Sequence, residues 1–398
     1  MQSPLNLYLV STSGSARAGI LTTAHGEVPT PAFMPVATQG SVKGLTPEEV
    51  KSLKANIILA NAYHLYLRPG VDIVRDLGGI HAFTGWSGPI LTDSGGFQGF
   101  SMGALRKVRD DGILFRSHID GSEHHFTPES AVFYQGRLGA DIIMCLDQCV
   151  AYGESRESVL RAMDRTHRWA ARCKEAHDNG NSPDYQALFG IVQGGVYPDL
   201  RAESTEYITS LDFDGYAVGG LAVGESKAQM YEITGQVGGL LPQDKPRYMM
   251  GVGSPEDLVE CVARGIDMFD CALPTRVARN GALFTGTGRV DITHRRFKET
   301  AGPLEEDCSC YTCRNFSVAF LHHMFKAKEL LGLRLATIHN LRFVLQLMED
   351  MRTAILDGRF QSFRDSFLST YKPTDESARM SQKEAWMEAR MIRGGSRA

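Results

Sequence analysis

Short apolar runs recur along the chain at residues 32–36, 56–60, 89–92, 141–146, 187–192, 215–218, 247–250 and 266–269, with helical text between several of them. Thr46-Pro47-Glu48-Glu49 pairs an N-cap Thr with Pro at the first helical position and Glu three residues after the cap, a capping box. Ser254-Pro255-Glu256-Asp257 and Thr127-Pro128-Glu129 repeat the cap-then-Pro design, and Ser155 opens a long charged amphipathic helix towards His177. Strand–helix alternation predicts a parallel sheet, and eight runs favour a closed (β/α)8 TIM barrel over an open sheet. Ahead of it, Leu5, Leu7 and Leu9 alternate with polar residues, and the pattern resumes from Ile20, which predicts a small N-terminal antiparallel sheet. The expected division is 1–30 for that sheet, 31–299 for the α/β barrel, and 300–345 for a cysteine-bearing subdomain. A helix packed on the barrel (346–373) and a polar, loosely held tail (374–398) complete it.

The ends of the runs carry the chemistry. The third finishes in Asp93, the fourth in Asp147, the fifth in Gln193, the sixth in Gly219-Gly220 and the eighth in Asp270. Any one of these is an ordinary way to end a strand. In a barrel, however, all five reach the C-terminal rim, where catalytic residues collect.

Composition adds bounds. Hydrophobic residues make up 43% and charged residues 22% of 398, enough for a sizeable core. No apolar run approaches the ~18–20 residues of a membrane span, and Met1-Gln2-Ser3-Pro4 lacks a basic-then-apolar signal, so a cytoplasmic location is expected. The net charge of −4 speaks against a nucleic-acid partner until its distribution is considered. Arg276, Arg279, Arg289, Arg295, Arg296 and Lys298 face a single acid, Asp291, in one stretch of net +5, a candidate phosphate-facing patch or else a solvated surface.

Eight cysteines are present, and Cys308, Cys310 and Cys313 lie within six residues. Thiolates so close repel unless a soft divalent cation joins them, so a metal site is expected rather than a disulfide framework. Three sulfurs need a fourth ligand, for which spacing alone leaves His322, His323 and His339 open.

Asp93-Ser94-Gly95-Gly96-Phe97-Gln98, Gly219-Gly220-Leu221-Ala222-Val223-Gly224-Glu225 and Asp270-Cys271-Ala272-Leu273-Pro274-Thr275-Arg276 resemble signature segments of the bacterial tRNA-guanine transglycosylases. Cys308-x-Cys310-x2-Cys313 with a distant His339 is similar to the zinc subdomain of that family, and matching text runs from about residue 5 to residue 365. The resemblance implies a (β/α)8 barrel with a zinc-binding subdomain after the last strand, and it selects His339 as the fourth ligand of one structural Zn2+.

It also implies a pentosyltransferase of queuosine biosynthesis. Guanine at the wobble position of tRNAs with a GUN anticodon is replaced by 7-aminomethyl-7-deazaguanine (preQ1). Asp270 would attack ribose C1′ and hold a covalent aspartyl-ribose intermediate, while Asp93 would act as general base. Two successive displacements retain configuration, as in retaining glycosidases. Base binding would fall to Asp93, Ser94, Gly95, Gly96, Phe97, Asp147, Gln193, Gly220, Leu221 and Met250, with Phe97 and Met250 sandwiching the ring and Cys149 lining the pocket. Contacts to the tRNA anticodon loop would come from Gly251, Val252, Gly253, Ser254, Pro255, Glu256 and Asp257, and from Thr275, Arg276, Val277, Ala278 and Arg279. Members of the family form homodimers, which is the expectation here. A barrel glycosidase or zinc hydrolase would use water as acceptor, and the metal version would need an open zinc position, which three thiolates and an imidazole do not leave. A non-catalytic barrel would have no use for both Asp93 and Asp270.

Overall fold

The computed structural model describes residues 4–96 and 106–373. The expected contacts of Phe97 and the expected tail at 374–398 lie outside the described residues.

The eight runs become one all-parallel sheet. Its hydrogen-bonded order is Ala32–Met34, Met268–Asp270, Arg247–Met249, Gly215–Val218, Ala187–Val192, Ile142–Met144, Ile90–Asp93, Ile58–Asn61 and Val36–Ala37. The first and last of these are two halves of one run, interrupted at Pro35, which has no N–H for the ladder. Ala32–Met34 pairs with the eighth strand and Val36–Ala37 with the second, while Leu59 N–H donates to Pro35 O at 3.1 Å. The sheet thereby closes on itself through Pro35.

Period-two alternation sorts the strand side chains into two cores. Met34, Leu59, Leu91, Ile142, Met144, Phe189, Ile191, Ala217, Tyr248 and Met268 fill the barrel, together with Leu5, Leu7, Leu21 and Val28 of the N-terminal sheet. Phe33, Ile58, Ile90, Ile143, Leu188, Tyr216 and Phe269 face outward against the helices.

The N-terminal sheet is antiparallel over Asn6–Ser13, Ala16–Thr23 and Gly26–Thr30, and it is fastened to the barrel by two buried carboxylates. Asp267 takes a bidentate bond from Arg17 (3.0 and 2.9 Å) and the Arg247 N–H (2.8 Å). Asp141 accepts from the Ile90 N–H (2.9 Å) and bonds the stacked rings of His25 (2.8 Å) and His81 (3.0 Å). Each acid therefore has partners for its lone pairs, the condition under which a buried charge is tolerated. This end of the barrel is a structural floor, and the chemistry is left to the opposite rim.

The helix caps follow the sequence for the most part. Thr46 with Glu49 forms a full capping box, Thr127 does so with Ser130, and Ser155 caps Arg156–Ala176. Ser254 stands at the cap position of Pro255–Val262 without a side-chain capping bond. The stretches expected as 300–345 and 346–373 share one helix, Leu330–Leu356, which runs unbroken through residue 345. Its first half carries His339, and its second half packs on the barrel and on the N-terminal sheet, where Arg352 donates to the carbonyls of Gly19 and Thr30.

One element was not anticipated. After the third barrel strand, Arg106–Val108, Ile113–Arg116 and Glu123–Phe126 form a separate antiparallel sheet. Its turns contain Asp111-Gly112 and Asp120-Gly121, the dipeptide that tight hairpins favour.

Candidate active site

All the rim residues converge. Asp93 is the last residue of its strand and Asp270 the last of its own. Gln193, Gly219 and Met250 each follow a strand end directly, and Asp147 lies three residues beyond Met144.

Asp93 Oδ2 accepts from Asn61 Nδ2 at 2.5 Å and its Oδ1 from the Ala62 N–H at 3.0 Å. Asn61 uses its other side-chain atom to cap the helix Ala62–Leu67, accepting from the His64 N–H. The helix start therefore orients the amide, and the amide orients the carboxylate.

Asp270 Oδ1 takes both of that residue's hydrogen bonds, from Tyr248 OH at 2.6 Å and from the Gly251 N–H at 2.9 Å. Oδ2 has no hydrogen-bond partner among the described residues. Burial pushes Asp270 above the usual carboxylate range, and the bonds from Tyr248 and Gly251 pull it part of the way back. The Tyr248 phenol is pushed far upward by burial and by the charge and hydrogen bond of Asp270, so it remains a donor.

A flat polar slot faces these acids. Gln193 Nε2 donates to Asp147 Oδ2 at 2.6 Å, and both side chains are buried. Three glycines press on the pair. A Cβ at Gly96 would lie 2.9 Å from Asp147 O, one at Gly219 would lie 2.8 Å from Gln193 Nε2, and one at Gly220 would overlap Gln193 Oε1. Gly220 also has φ +66°, so backbone, not side chain, forms that wall. Gly95 has φ +81°, Ser94 is buried and accepts from the Gly96 N–H at 3.4 Å, and Leu221 and Cys149 are buried beside the slot. The next turn is built on Glu225, whose buried carboxylate accepts from the N–H groups of Ala222, Val223 and Gly224 and holds Ala222 at φ +57°.

The segments expected to meet RNA reach the rim, with most side chains turned inward. Val252, Gly253, Pro255, Thr275 and Ala278 are buried, and Val277 is half-buried. Glu256 and Asp257 are buried as well and share the Lys227 ammonium at 2.5 and 2.8 Å. What remains outward is the exposed Gly251, the half-exposed Ser254, the exposed Arg276 and part of Arg279, whose Nη1 is buried without a hydrogen-bond partner among the described residues. Among the described residues, neither these arginines nor Arg289, Arg295, Arg296 and Lys298 form an ion pair, whereas most other arginines do.

After the last barrel strand, Cys308, Cys310, Cys313 and His339 form a cluster able to hold a metal ion. The sulfurs stand 3.8, 3.7 and 3.4 Å from His339 Nδ1. A tetrahedral ion with bonds of about 2.3 Å to sulfur and about 2.0 Å to nitrogen has N···S edges of about 3.5 Å, so the donor set fits. His339 Nε2 lies 2.7 Å from Phe284 O, which fixes its proton there and leaves the Nδ1 lone pair to the sulfurs. His322 bonds Ile292 O instead, and His323 is exposed.

Asn61, Tyr248 and Arg201 were not singled out by sequence, and Glu225 stood there only as the end of a signature segment, with no role given to it. Only Asn61 left a usable signal, because it ends the second run as Asp93 ends the third.

Among the described residues, no helix is long and apolar enough to cross a membrane. The family profile described as queuine tRNA-ribosyltransferase matches residues 12–373. A queuine tRNA-ribosyltransferase of Dehalococcoides mccartyi is 53% identical over 390 residues, 98% of each chain. Proteins of that name from Pelotomaculum thermopropionicum (56% over 360 residues, 90% of this chain and 96% of the relative) and Solidesulfovibrio magneticus (54% over 371 residues, 93% and 99%) agree. With the profile covering most of its length and the rim carboxylates in place, the chain belongs to the queuine tRNA-ribosyltransferase family, the tRNA-guanine transglycosylases.

Proposed function

We propose that this enzyme exchanges guanine for 7-aminomethyl-7-deazaguanine at the wobble position of tRNAs with a GUN anticodon, through a covalent aspartyl-ribose intermediate on Asp270. The single observation that carries the reading is the one-sided bonding of Asp270, with both donors on Oδ1 and, among the described residues, none on Oδ2. Oδ2 forms the bond to ribose C1′ as the C1′–N9 bond breaks, and guanine leaves with the bonding pair and takes up a proton. The incoming base gives its ring N–H proton to Asp93, and its nitrogen attacks C1′ and displaces Asp270. Splitting one exchange into two displacements retains configuration at C1′.

The slot suits a purine of this kind. The Asp147 carboxylate accepts from N–H groups of the pyrimidine edge, while Gln193 and the Gly220 N–H take the carbonyl oxygen, with Ser94, Gly95, Gly96, Phe97, Leu221 and Met250 around the ring. A target nucleotide must be splayed out of the anticodon loop to reach it. The unpaired cations from Arg276 to Lys298 are the phosphate-facing surface, and two copies of the chain form the working assembly. The Cys3His cluster would hold Zn2+. Three thiolates and an imidazole close a tetrahedron, so the ion supplies folding energy and no catalysis.

Mass spectrometry of the enzyme denatured during turnover with tRNA tests the reading. An RNA adduct on the peptide holding Asp270 is expected, with none in Asp270→Asn. That variant should lose more than about a thousandfold in exchange yet still bind tRNA. An adduct elsewhere, or exchange by Asp270→Asn above a tenth of the wild-type rate, overturns it.

A further inference from the structure

Behind the base-facing wall lies a cation that this chemistry leaves unused. Arg201, on the helix Pro198–Ser210, is wholly buried, and among the described residues no carboxylate bonds it. Nε donates to Gly195 O at 2.8 Å, and Nη1 donates to Val192 O at 2.9 Å and to Gly219 O at 2.8 Å. Nη2 is buried without a hydrogen-bond partner among the described residues. Burial pulls the guanidinium down to about 10, against the pull of Cys149 and Glu225, so it stays charged at neutral pH. Burying a cation without a paired anion is costly, and an apolar side chain of similar length could fill the same space. Packing alone does not account for it.

Its partners do. A peptide group polarises as a unit, so a donor on its C=O strengthens the N–H at its other end. The carbonyl of Gly219 belongs to the peptide whose N–H is that of Gly220, the donor aimed at the base's exocyclic oxygen in the function proposed above. The carbonyl of Val192 belongs to the peptide whose N–H is that of Gln193. That N–H donates to Ser204 Oγ at 3.1 Å, and Ser204 Oγ shares a second hydrogen bond with His167 Nε2 at 3.0 Å, an imidazole that burial holds down to about 4 and therefore neutral. Arg201 and Ser204 stand one helical turn apart on a single face, and together they fix both halves of the wall that reads the base.

We propose that Arg201 is a positioning residue for the departing and entering base: by polarising the Gly219-Gly220 peptide it strengthens the Gly220 N–H as a donor to the negative charge that gathers on the base oxygen while the C1′–N9 bond is broken. The inference rests on the base-exchange reading. Because the charge exists only partway along the reaction, the contribution falls on kcat and not on tRNA binding.

The test uses Arg201→Met and Arg201→Lys in the full chain, with guanine, 7-aminomethyl-7-deazaguanine and 7-cyano-7-deazaguanine as bases. The cyano group makes the ring N–H more acidic, so that base carries negative charge with less help. Because the departing base is guanine in every case, the readout is discharge of the preformed Asp270–RNA adduct by each base: Arg201→Met should slow it about ten- to a hundredfold with the first two bases and only about threefold with the cyano base, at unchanged KM for tRNA. Arg201→Lys, which keeps the charge and loses the fork, should fall between. An equal loss with all three bases, or a loss confined to KM for tRNA, overturns the proposal. If Arg201→Met does not fold, the same series on Arg201→Lys and Arg201→Gln decides. The Asp270 adduct is followed in wild type alongside. Its absence defeats the base-exchange reading, whereas its presence with a uniform loss in the variants defeats only the role of Arg201.

Discussion

Tyr248 and Asp270 meet across neighbouring barrel strands, the buried phenol donating to Oδ1 of the carboxylate at 2.6 Å from the strand that pairs beside it. In the reaction proposed above, the bond does two things for a carboxylate that must act as an anion: it fixes Oδ1 and so the orientation of the group, and it offsets part of the burial that raises Asp270. Activity should therefore be present above that raised value and be lost as pH falls through it. Tyr248→Phe removes the donor and leaves the burial, so the acid limb of adduct formation should move to higher pH, by about one unit. Single-turnover rates against pH in both proteins check this. An acid limb that stays in place, or moves down, would mean that Tyr248 does not tune the carboxylate.

The thiolate cluster makes a separate prediction. His339 is held from behind by Phe284 O, so the site is organised by the hairpin Ala282–Thr285/Gly288–Asp291 and the long helix Leu330–Leu356 together. Removing one sulfur should then cost metal and folded protein at once, because binding energy at such a site is folding energy. Elemental analysis should find one zinc per wild-type chain, and Cys310→Ser should have little metal and a low folded yield. A metal-free Cys310→Ser that is folded and fully active would contradict a structural role.

Arg276 and Arg279 stand one turn apart beside the rim, and burial, with a lesser push from the charge of Arg276, pulls Arg279 down. Two unpaired cations side by side repel each other, and a polyanion relieves that. Affinity for tRNA should fall steeply with salt despite the net charge of −4, as phosphate contacts release counterions. Arg276→Ala or Arg279→Ala should each reduce the slope of log K against log salt by about one. Titrations at several salt concentrations read it, and an unchanged slope in both variants would mean the patch faces elsewhere.

How much of this was legible in the chain depended on how local the signal is. The barrel, its N-terminal sheet and the strand-end acids Asp93 and Asp270 follow from runs and their last residues, which are local facts. Glu256 and Asp257 read as exposed acids of a first helical turn, yet Lys227, from the preceding helix, draws both inside. Arg201 sits in polar helical text, and nothing near it in sequence marks the one buried face that needs a cation. Tyr248 looks like any strand aromatic until its hydroxyl reaches the rim. Tyr248 and Asp270 lie 22 residues apart and Lys227 is 29 from Glu256, while Arg201, only 6 and 9 residues from Gly195 and Val192, meets Gly219 once the next strand is in place.

The last prediction concerns which base enters. Val223 is half-buried in the turn held by Glu225, and with Gly220 and Glu225 it lines a cavity of about 180 Å³. A 7-aminomethyl group is small enough to pass beside a β-branched side chain and donate to the Leu221 carbonyl. Queuine carries a cyclopentenediol on the same amine, and that ring needs the volume that the Val223 methyls fill. Overpacking a close-fitting pocket costs about 1–3 kcal/mol, which corresponds to roughly five- to 150-fold in kcat/KM. The enzyme should thus use 7-aminomethyl-7-deazaguanine efficiently and queuine poorly. Val223→Gly should narrow the gap by opening the mouth of the cavity, while the three N–H bonds to Glu225 keep the turn in shape. Displacement of radiolabelled guanine from tRNA by each base, in both proteins, gives the ratio. Equal use of the two bases by the unmutated enzyme would defeat the steric argument, and an unchanged ratio in Val223→Gly would place the discrimination on another residue.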